Sequence, residues 1–297
     1  MNKRWIIGTR GSKLALRQTE LVVEKLQSFY PKSEFVVKTI KTKGDTTWNK
    51  PLHLIGGKGL FVKEIEEALL GKEIDMAVHS VKDLPAELGK GLLLGAVLKR
   101  EDPRDAFLSL NCERLADLKD TSRIGTSSLR RKAQILHQNK TIRVISIRGN
   151  VETRLKKLST ENLDGIILAY AGIKRLNLEK HIKEIIPLNI MIPPCGQGAI
   201  GIEVREEKDI LEFLAPLNNK RSFREIAIER TLLAKIGGGC HLPLGIHSTI
   251  IGNTVRLYIS MGKDDGTLFI HNLFTGNKNN IEALISKVFL KVKPALK

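Results

Sequence analysis

The sequence predicts an α/β protein. Two lobes, each a sheet of strands alternating with helices, face each other across a shared cleft, and a small α+β domain with a three-stranded antiparallel sheet follows. Three observations carry this reading. IGTRGSKLALRQ (7–18) is echoed by IGTSSLRRKAQ (124–134), each a strand, then Gly-Thr, then hydroxyls and basic residues opening a helix. Each echo runs on as β-α-β-α-β, the alternation of a parallel sheet covered by helices. The last third changes character, with three strand-like runs joined by hairpin-type turns.

Taken in order, FVVKTIKTKGD (35–45) parallels IRVISIRGN (142–150): a β-branched run ending in a basic residue, Gly and Asp or Asn. A helix follows, with Phe61, Ile65, Ala68 and Leu69 at the spacing of an apolar face. DMAVHSVKDL (75–84) and DGIILAYAGIKRL (164–176) supply the third strand of each lobe. The charged, Pro-containing KREDPRD (99–105) reads as the link between lobes, and MIPPCGQGA (191–199) as a second crossing, after which GIEVR returns as a strand to the first lobe. These boundaries give 1–98 with 199–217, then 104–192, then 218–297. The third region opens with a helix (220–235), continues through GGGC and the runs LGIHSTII, TVRLYISM and TLFIHNLF, and closes with a helix at 280–291.

Composition narrows the function. With 49 Lys+Arg against 32 Asp+Glu the formal charge is +17, which suits nucleic acid, an anionic membrane surface or a polyanionic small molecule. Only 5% of residues are aromatic and none interleave with Lys/Arg, so a base-stacking surface is not supported, nor is any helix-turn-helix spacing present. MNKRWIIGTR has too few apolar residues for a signal-peptide core, and GLLLGAVL (91–98) is far short of a membrane span. Cys112, Cys195 and Cys240 lie far apart with no CxxC pair, arguing against a disulfide framework or a metal site. The expected location is the cytoplasm.

Ligands of such sheets bind beyond the carboxyl ends of the strands. There the sequence collects Arg10, Lys82, Arg130, Arg131, Arg148 and Arg175, with Arg154 one turn into a helix, and the hydroxyls of Ser12, Thr126, Ser127 and Ser128. Each alone reads as a cap or a solvated charge. Together they describe a site for several carboxylates or phosphates, since guanidinium forks and helix starts both bind anions. Asp83, in HSVKDLP, is the one acid of this rim: either a turn cap before Pro85 or a carboxylate that steadies a developing cation. His79 reads as packed at a strand end. GGKGLF (56–61) is glycine-rich but lacks the Walker spacing, leaving Lys58 as a charge on a flap or at a helix start. Cys195 suits a tight crossing. Cys240, in IGGGCHLPLG, is equally a nucleophile or an inert buried thiol.

The ordered set TRGSKLALRQ, GGKGLFVKEIE, AVHSVKDLP, REDPRDAF, IGTSSLRR, IRGNVETRL, AGIKRL, GQGAIGIE and GGC resembles the hydroxymethylbilane synthase (porphobilinogen deaminase) family from about residue 6 to 250. The resemblance implies three domains, the first two like periplasmic solute-binding lobes. It implies a dipyrromethane cofactor held by a thioether to Cys240, and stepwise condensation of four porphobilinogen molecules onto that primer with loss of ammonia. Hydrolysis then releases hydroxymethylbilane. By motif match, Asp83 is the catalytic carboxylate. Ser80, Lys82, Asp83, Thr126, Ser127, Ser128, Arg130, Arg131, Arg148 and Gly149 would hold the cofactor. Arg10, Ser12, Lys58, Phe61, Arg154, Arg175 and Gln197 would bind substrate. The residue before GGC is usually acidic in the family and is Gly237 here. A monomer that binds neither nucleic acid nor membrane is expected. The competing reading is a non-catalytic two-lobed binding protein for a small polycarboxylate, against which stand the additional domain and Cys240.

Overall fold

A computed structural model of the chain describes residues 4–46, 62–237 and 242–296. Its contacts divide into two units, Met1–Glu101 with Ala199–Arg224, and Asp102–Gly198 with Glu225–Lys297.

In the first unit, β1 (Arg4–Thr9), α1 (Lys13–Phe29), β2 (Glu34–Thr39), a short α2 (Lys43–Thr46), α3 (Lys63–Leu70), β3 (Met76–Ser80) and β4 (Leu92–Val97) are joined by the returning β10 (Ile200–Arg205) and α7 (Lys208–Leu214). The sheet order is β2-β1-β3-β10-β4. β1 runs parallel to both β2 and β3, whereas β10 is antiparallel to β3 and β4. The return of 201–205 as a strand is therefore found, but the sheet is mixed and not wholly parallel. GLLLGAVL supplies β4, a strand that the sequence reading did not assign. α1 starts because Ser12 caps it, its hydroxyl accepting from Ala15 N at 3.2 Å, and its buried face is Gln18, Thr19, Val22 and Leu26. Phe213 of α7 lies between Trp5 and Tyr30, each ring centroid 4.2 Å away, closing one side of the core. α3 buries Ile65, Ala68 and Leu69 as its spacing requires; Phe61 lies outside the described residues.

The second unit repeats the plan with β5 (Asp105–Leu108), β6 (Arg123–Gly125), α4 (Leu129–Gln138), β7 (Arg143–Ile145), α5 (Val151–Thr160), β8 (Gly165–Ala169), α6 (Tyr170–Arg175) and β9 (Glu184–Ile185). Its order, β7-β6-β8-β5-β9, matches the first sheet position for position, with β5 as the antiparallel insert. In both sheets the antiparallel strand beside the third one is the strand adjoining a crossing. Gly165 lets β8 press on the fully buried Phe107: a Cβ there would meet Phe107 Cε2 at 2.2 Å. Asp105, expected in a charged link, is instead the first residue of β5 and fully buried.

Helix α8 (Lys220–Ile236) then leads to β11 (Leu244–Ile251), β12 (Thr254–Gly262) and β13 (Leu268–Asn277), an antiparallel sheet covered by α9 (Ile281–Val292). Alternate residues of β12, Val255, Leu257, Ile259 and Met261, face a core shared with Ile228 and Leu232 of α8 and Leu284, Ile285 and Val288 of α9. This is the small α+β region with a three-stranded sheet that the hairpin turns predicted.

Candidate active site

In the first unit, β3 ends in a single 3-10 turn, Val81–Asp83, closed by Leu84 N on Val81 O. Asp83 thus projects from a strand end, where its Oδ2 faces Arg10 Nη1 at 3.9 Å. Arg10 comes from the end of the adjacent parallel β1, so the pairing of the two strands sets this meeting. A small cleft beside them is lined by Arg10, Ser12, Gln18, Ser80 and Asp83. Gln18, a residue the sequence reading missed, lies with its amide 2.8 and 3.0 Å from Ser80 Oγ and is buried on the inner face of α1. Its signal was present: a Gln at a core position of an amphipathic helix needs a buried partner. Lys82 lies within the same 3-10 turn.

Side chains alternate along β3, so His79 points to the face opposite Ser80. There its Nε2 is 2.9 Å from Oε2 of the fully buried Glu203 of β10. His79 is packed at the strand end, as expected, and Glu203 is the partner that was not foreseen. Burial, and then the neighbouring Glu203, raise the carboxyl pKa of Glu66 on α3.

In the second unit, β6 gives way to α4 through Thr126, Ser127 and Ser128. Ser128 is the N-cap, its Oγ accepting from Arg131 N at 3.4 Å, and Thr126 Oγ1 accepts from Ser128 N at 3.2 Å. Ser127 Oγ donates to Ile147 O and lies 3.2 Å from Ser146 Oγ. The first turn leaves the Leu129 and Arg130 N–H groups without an intrahelical acceptor, as at every helix start. Arg148 and Gly149 form the next strand-end turn. Gly149 has φ +117, and a Cβ there would meet Thr153 Cγ2 at 2.5 Å. Asn150 caps α5 through Thr153 N at 2.8 Å, and Arg154 Nε donates to Gly149 O at 2.8 Å, curling back onto the turn.

Arg130 and Arg131 differ from the exposed rim residues expected of them. They are 5% and 6% exposed, and both reach Asp105: Arg131 through Nη2 at 2.7 Å and Nε at 3.1 Å, Arg130 through Nη1 at 2.8 Å. Burial alone would raise the Asp105 pKa, but the two guanidiniums hold it well below the usual carboxylate range. Arg175 donates to Gly198 O at 2.6 Å, and Gln197 Nε2 donates to Asp105 Oδ1 at 3.0 Å. Glu229 of α8, also missed, accepts from Gly196 N at 2.8 Å and Ser248 N at 2.7 Å. Lys58 and Cys240 lie outside the described residues.

The chemistry of the donor set suits a ligand bearing several carboxylates. Hydroxyls, a helix start and the Arg148 and Arg154 guanidiniums stand at strand ends of this sheet, and the Asp105 carboxylate is already engaged by Arg130 and Arg131. Among the described residues no group of three or more His, Cys, Asp or Glu is placed to hold a metal ion. No described helix is long and apolar enough to cross a membrane.

Fold and site together define an α/β protein with cation-bearing strand ends. Residues 5–212 match the family model described as porphobilinogen deaminase, dipyromethane cofactor binding domain, and residues 223–293 match porphobilinogen deaminase, C-terminal domain. The chain belongs to the porphobilinogen deaminase family, a family of enzymes with a dipyrromethane cofactor. It is similar to the porphobilinogen deaminase of Brevibacillus brevis, 45% identical over 92% of this chain and 89% of that one. It is equally similar to that of Lawsonia intracellularis, 45% identical over 97% and 95% of the two chains. Among solved structures, a TRAP periplasmic solute binding protein from Desulfovibrio salexigens aligns at TM-score 0.46 with 10% identity, covering 75% of this chain and 74% of that one. A likeness at that level says nothing about function.

Proposed function

We propose that this chain condenses four porphobilinogen molecules stepwise, with loss of ammonia, onto a dipyrromethane primer joined to Cys240, and releases hydroxymethylbilane by hydrolysis. Family membership supports the reaction. The observation that supports its placement is Asp83 facing Arg10 at 3.9 Å beside the Ser12–Gln18–Ser80 cleft, a carboxylate and a cation on adjacent strand ends.

The dipyrromethane, when bound, would supply the free pyrrole carbon to which the first ring is joined, each later ring joining the one before it. The protein's part follows from its side chains. Each porphobilinogen brings two carboxylates, so Arg10, Ser12, Lys58, Arg154 and Arg175 would bind and orient substrate acids, with Phe61 against the ring, while the buried Gln197, bonded to Asp105, would act behind them. Lys82, Ser80, Thr126, Ser127, Ser128, Arg148 and the open Gly149 turn would hold the acids of the primer. Arg130 and Arg131 would add the positive charge that Asp105 leaves over. Loss of ammonia from the substrate leaves a cationic methylene-pyrrole, and the Asp83 carboxylate stabilises that charge and accepts a pyrrole N–H. Arg10 stands beside the Asp83 carboxylate at 3.9 Å, longer than a close bidentate pair. The enzyme is read as a cytoplasmic monomer.

Intact mass of the purified protein beside Cys240→Ser tests the reading. The expected result is an added mass of two porphobilinogen units less two ammonia in the wild type and none in the variant. A wild-type mass that stays unmodified after incubation with porphobilinogen would refute it.

A further inference from the structure

Asp105 does more than neutralise two arginines. Its Oδ1 accepts from Arg131 and also from Gln197 Nε2, at 3.0 Å, and the same Gln197 nitrogen donates to Pro103 O at 2.8 Å. Arg131 Nη1 donates to Ile167 O in β8 at 3.0 Å, and Arg130 Nη1 donates to Ile192 O at 2.9 Å. Gln134, one turn along α4 from Arg130, takes Ile192 from both sides, accepting from its N at 2.8 Å and donating to its O at 3.1 Å. The chain passes from one unit to the other between Glu101 and Asp102, back between Gly198 and Ala199, and across again between Arg224 and Glu225. Pro103 flanks the first passage and Ile192 to Gln197 the second. One buried carboxylate therefore joins the start of α4, the middle of the sheet and the segments flanking the first two passages.

We infer that Asp105 is a positioning residue: a resident carboxylate that locks the start of α4 and the segments beside the first two passages, Pro103 and Ile192 to Gln197, into one rigid piece. The role of that piece as a carboxylate seat rests on the function proposed above. The charge count fits the assignment. Two guanidiniums and one carboxylate leave a formal charge of +1 in a cluster whose members are 0–6% exposed. Without Asp105 the guanidiniums would be buried like charges with nothing between them. With it they are held in place, and the leftover positive charge at the helix start favours an incoming carboxylate. The sequence signal is faint, because Asp105 sits in a run of charges that looks like a solvated linker.

Hydrogen exchange of the full-length protein, read peptide by peptide, tests this with Asp105→Asn, Asp105→Glu and Gln197→Met. In Asp105→Asn, protection of the Ile192, Gly196 and Gln197 amides and of the start of α4 is expected to fall by about 10²-fold, the scale of breaking a buried ion pair. β11 to β13 should keep their protection, and the fraction of protein carrying the cofactor mass should drop. Asp105→Glu, which keeps the charge, should restore much of both. Gln197→Met should loosen only 192–197. A uniform loss of protection across the chain in Asp105→Asn would overturn the proposal, since the residue would then be merely structural. Should Asp105→Asn not fold, unchanged exchange of the Ile192 and Gln197 amides in Gln197→Met would overturn it instead. A wild type lacking the cofactor mass would sink the functional reading, while the exchange result would still judge the clamp.

Discussion

Replacing Asp83 by Asn separates chemistry from architecture more cleanly than any other single change. The side chain is 38% exposed and its one ion pair among the described residues, with Arg10, spans 3.9 Å. Coulomb's law at that distance gives about 4 kcal/mol at an effective dielectric of ~20 and about 1 kcal/mol in water. Part-exposed pairs of this kind measure about 0–1 kcal/mol once solvent and side-chain entropy are included. Asn is nearly isosteric and leaves the backbone bond that closes the 3-10 turn, Leu84 N to Val81 O, untouched. Urea unfolding of Asp83→Asn should therefore stay within about 1 kcal/mol of the wild type. Turnover has no such protection. A preorganised charge aimed at a developing cation is worth about 10²–10³-fold, or about 2.7–4 kcal/mol of barrier. The assay is single-turnover and steady-state consumption of porphobilinogen alongside the unfolding curve. Near-normal turnover would refute the catalytic assignment, and a stability loss above about 2 kcal/mol would refute the reasoning that the residue carries no fold.

Other outcomes follow from the same geometry. Gly165→Ala puts a Cβ 2.2 Å from Phe107 Cε2 in a closed core, and overpacking of this kind costs about 1–3 kcal/mol by urea midpoint. The double variant with Phe107→Leu should recover part of that loss, and an additive result would contradict the packing account. Asn150→Ala removes a 2.8 Å cap from α5 and should cost about 1 kcal/mol; Ser128→Ala removes a 3.4 Å cap from α4 and should cost less in folding. Burial, assisted by the neighbouring His137, lowers the His271 pKa against the opposing bond to Asn189 O. The unfolded chain then binds the extra proton first, so this group's contribution to stability is full above about pH 6.5 and is lost as pH falls through the lowered value. A titration of the His271 ring by NMR with a midpoint above the free-histidine value would contradict this.

The α/β class, the doubled plan and the strand-end rim were legible in the sequence because they depend on local periodicity and turn chemistry. IGTRGS and IGTSSL each announce a strand, a turn and a capped helix within ten residues, and Ser12 and Ser128 cap as read. Arg10 and Asp83 were placed at strand ends for the same reason: each follows a strand that the pattern identified. The hairpins of β11 to β13 carried their own turn residues. β4 and β5 were missed, since a short apolar run and a charged run carry no alternation.

The sequence by itself therefore determined the class of fold, the family and the type of ligand, through features encoded within a few residues of one another. Tertiary structure decided which cations are available at the surface and which are spent inside. Arg130 and Arg131 read like Arg10 in the chain, yet the antiparallel insertion of β5 brings Asp105 beneath them and buries all three. Gln18 meets Ser80 and Gln197 meets Asp105 across 62 and 92 residues of chain. Such pairings arise from strand order and burial, where an unpaired polar group costs too much to leave alone, and no local pattern records them.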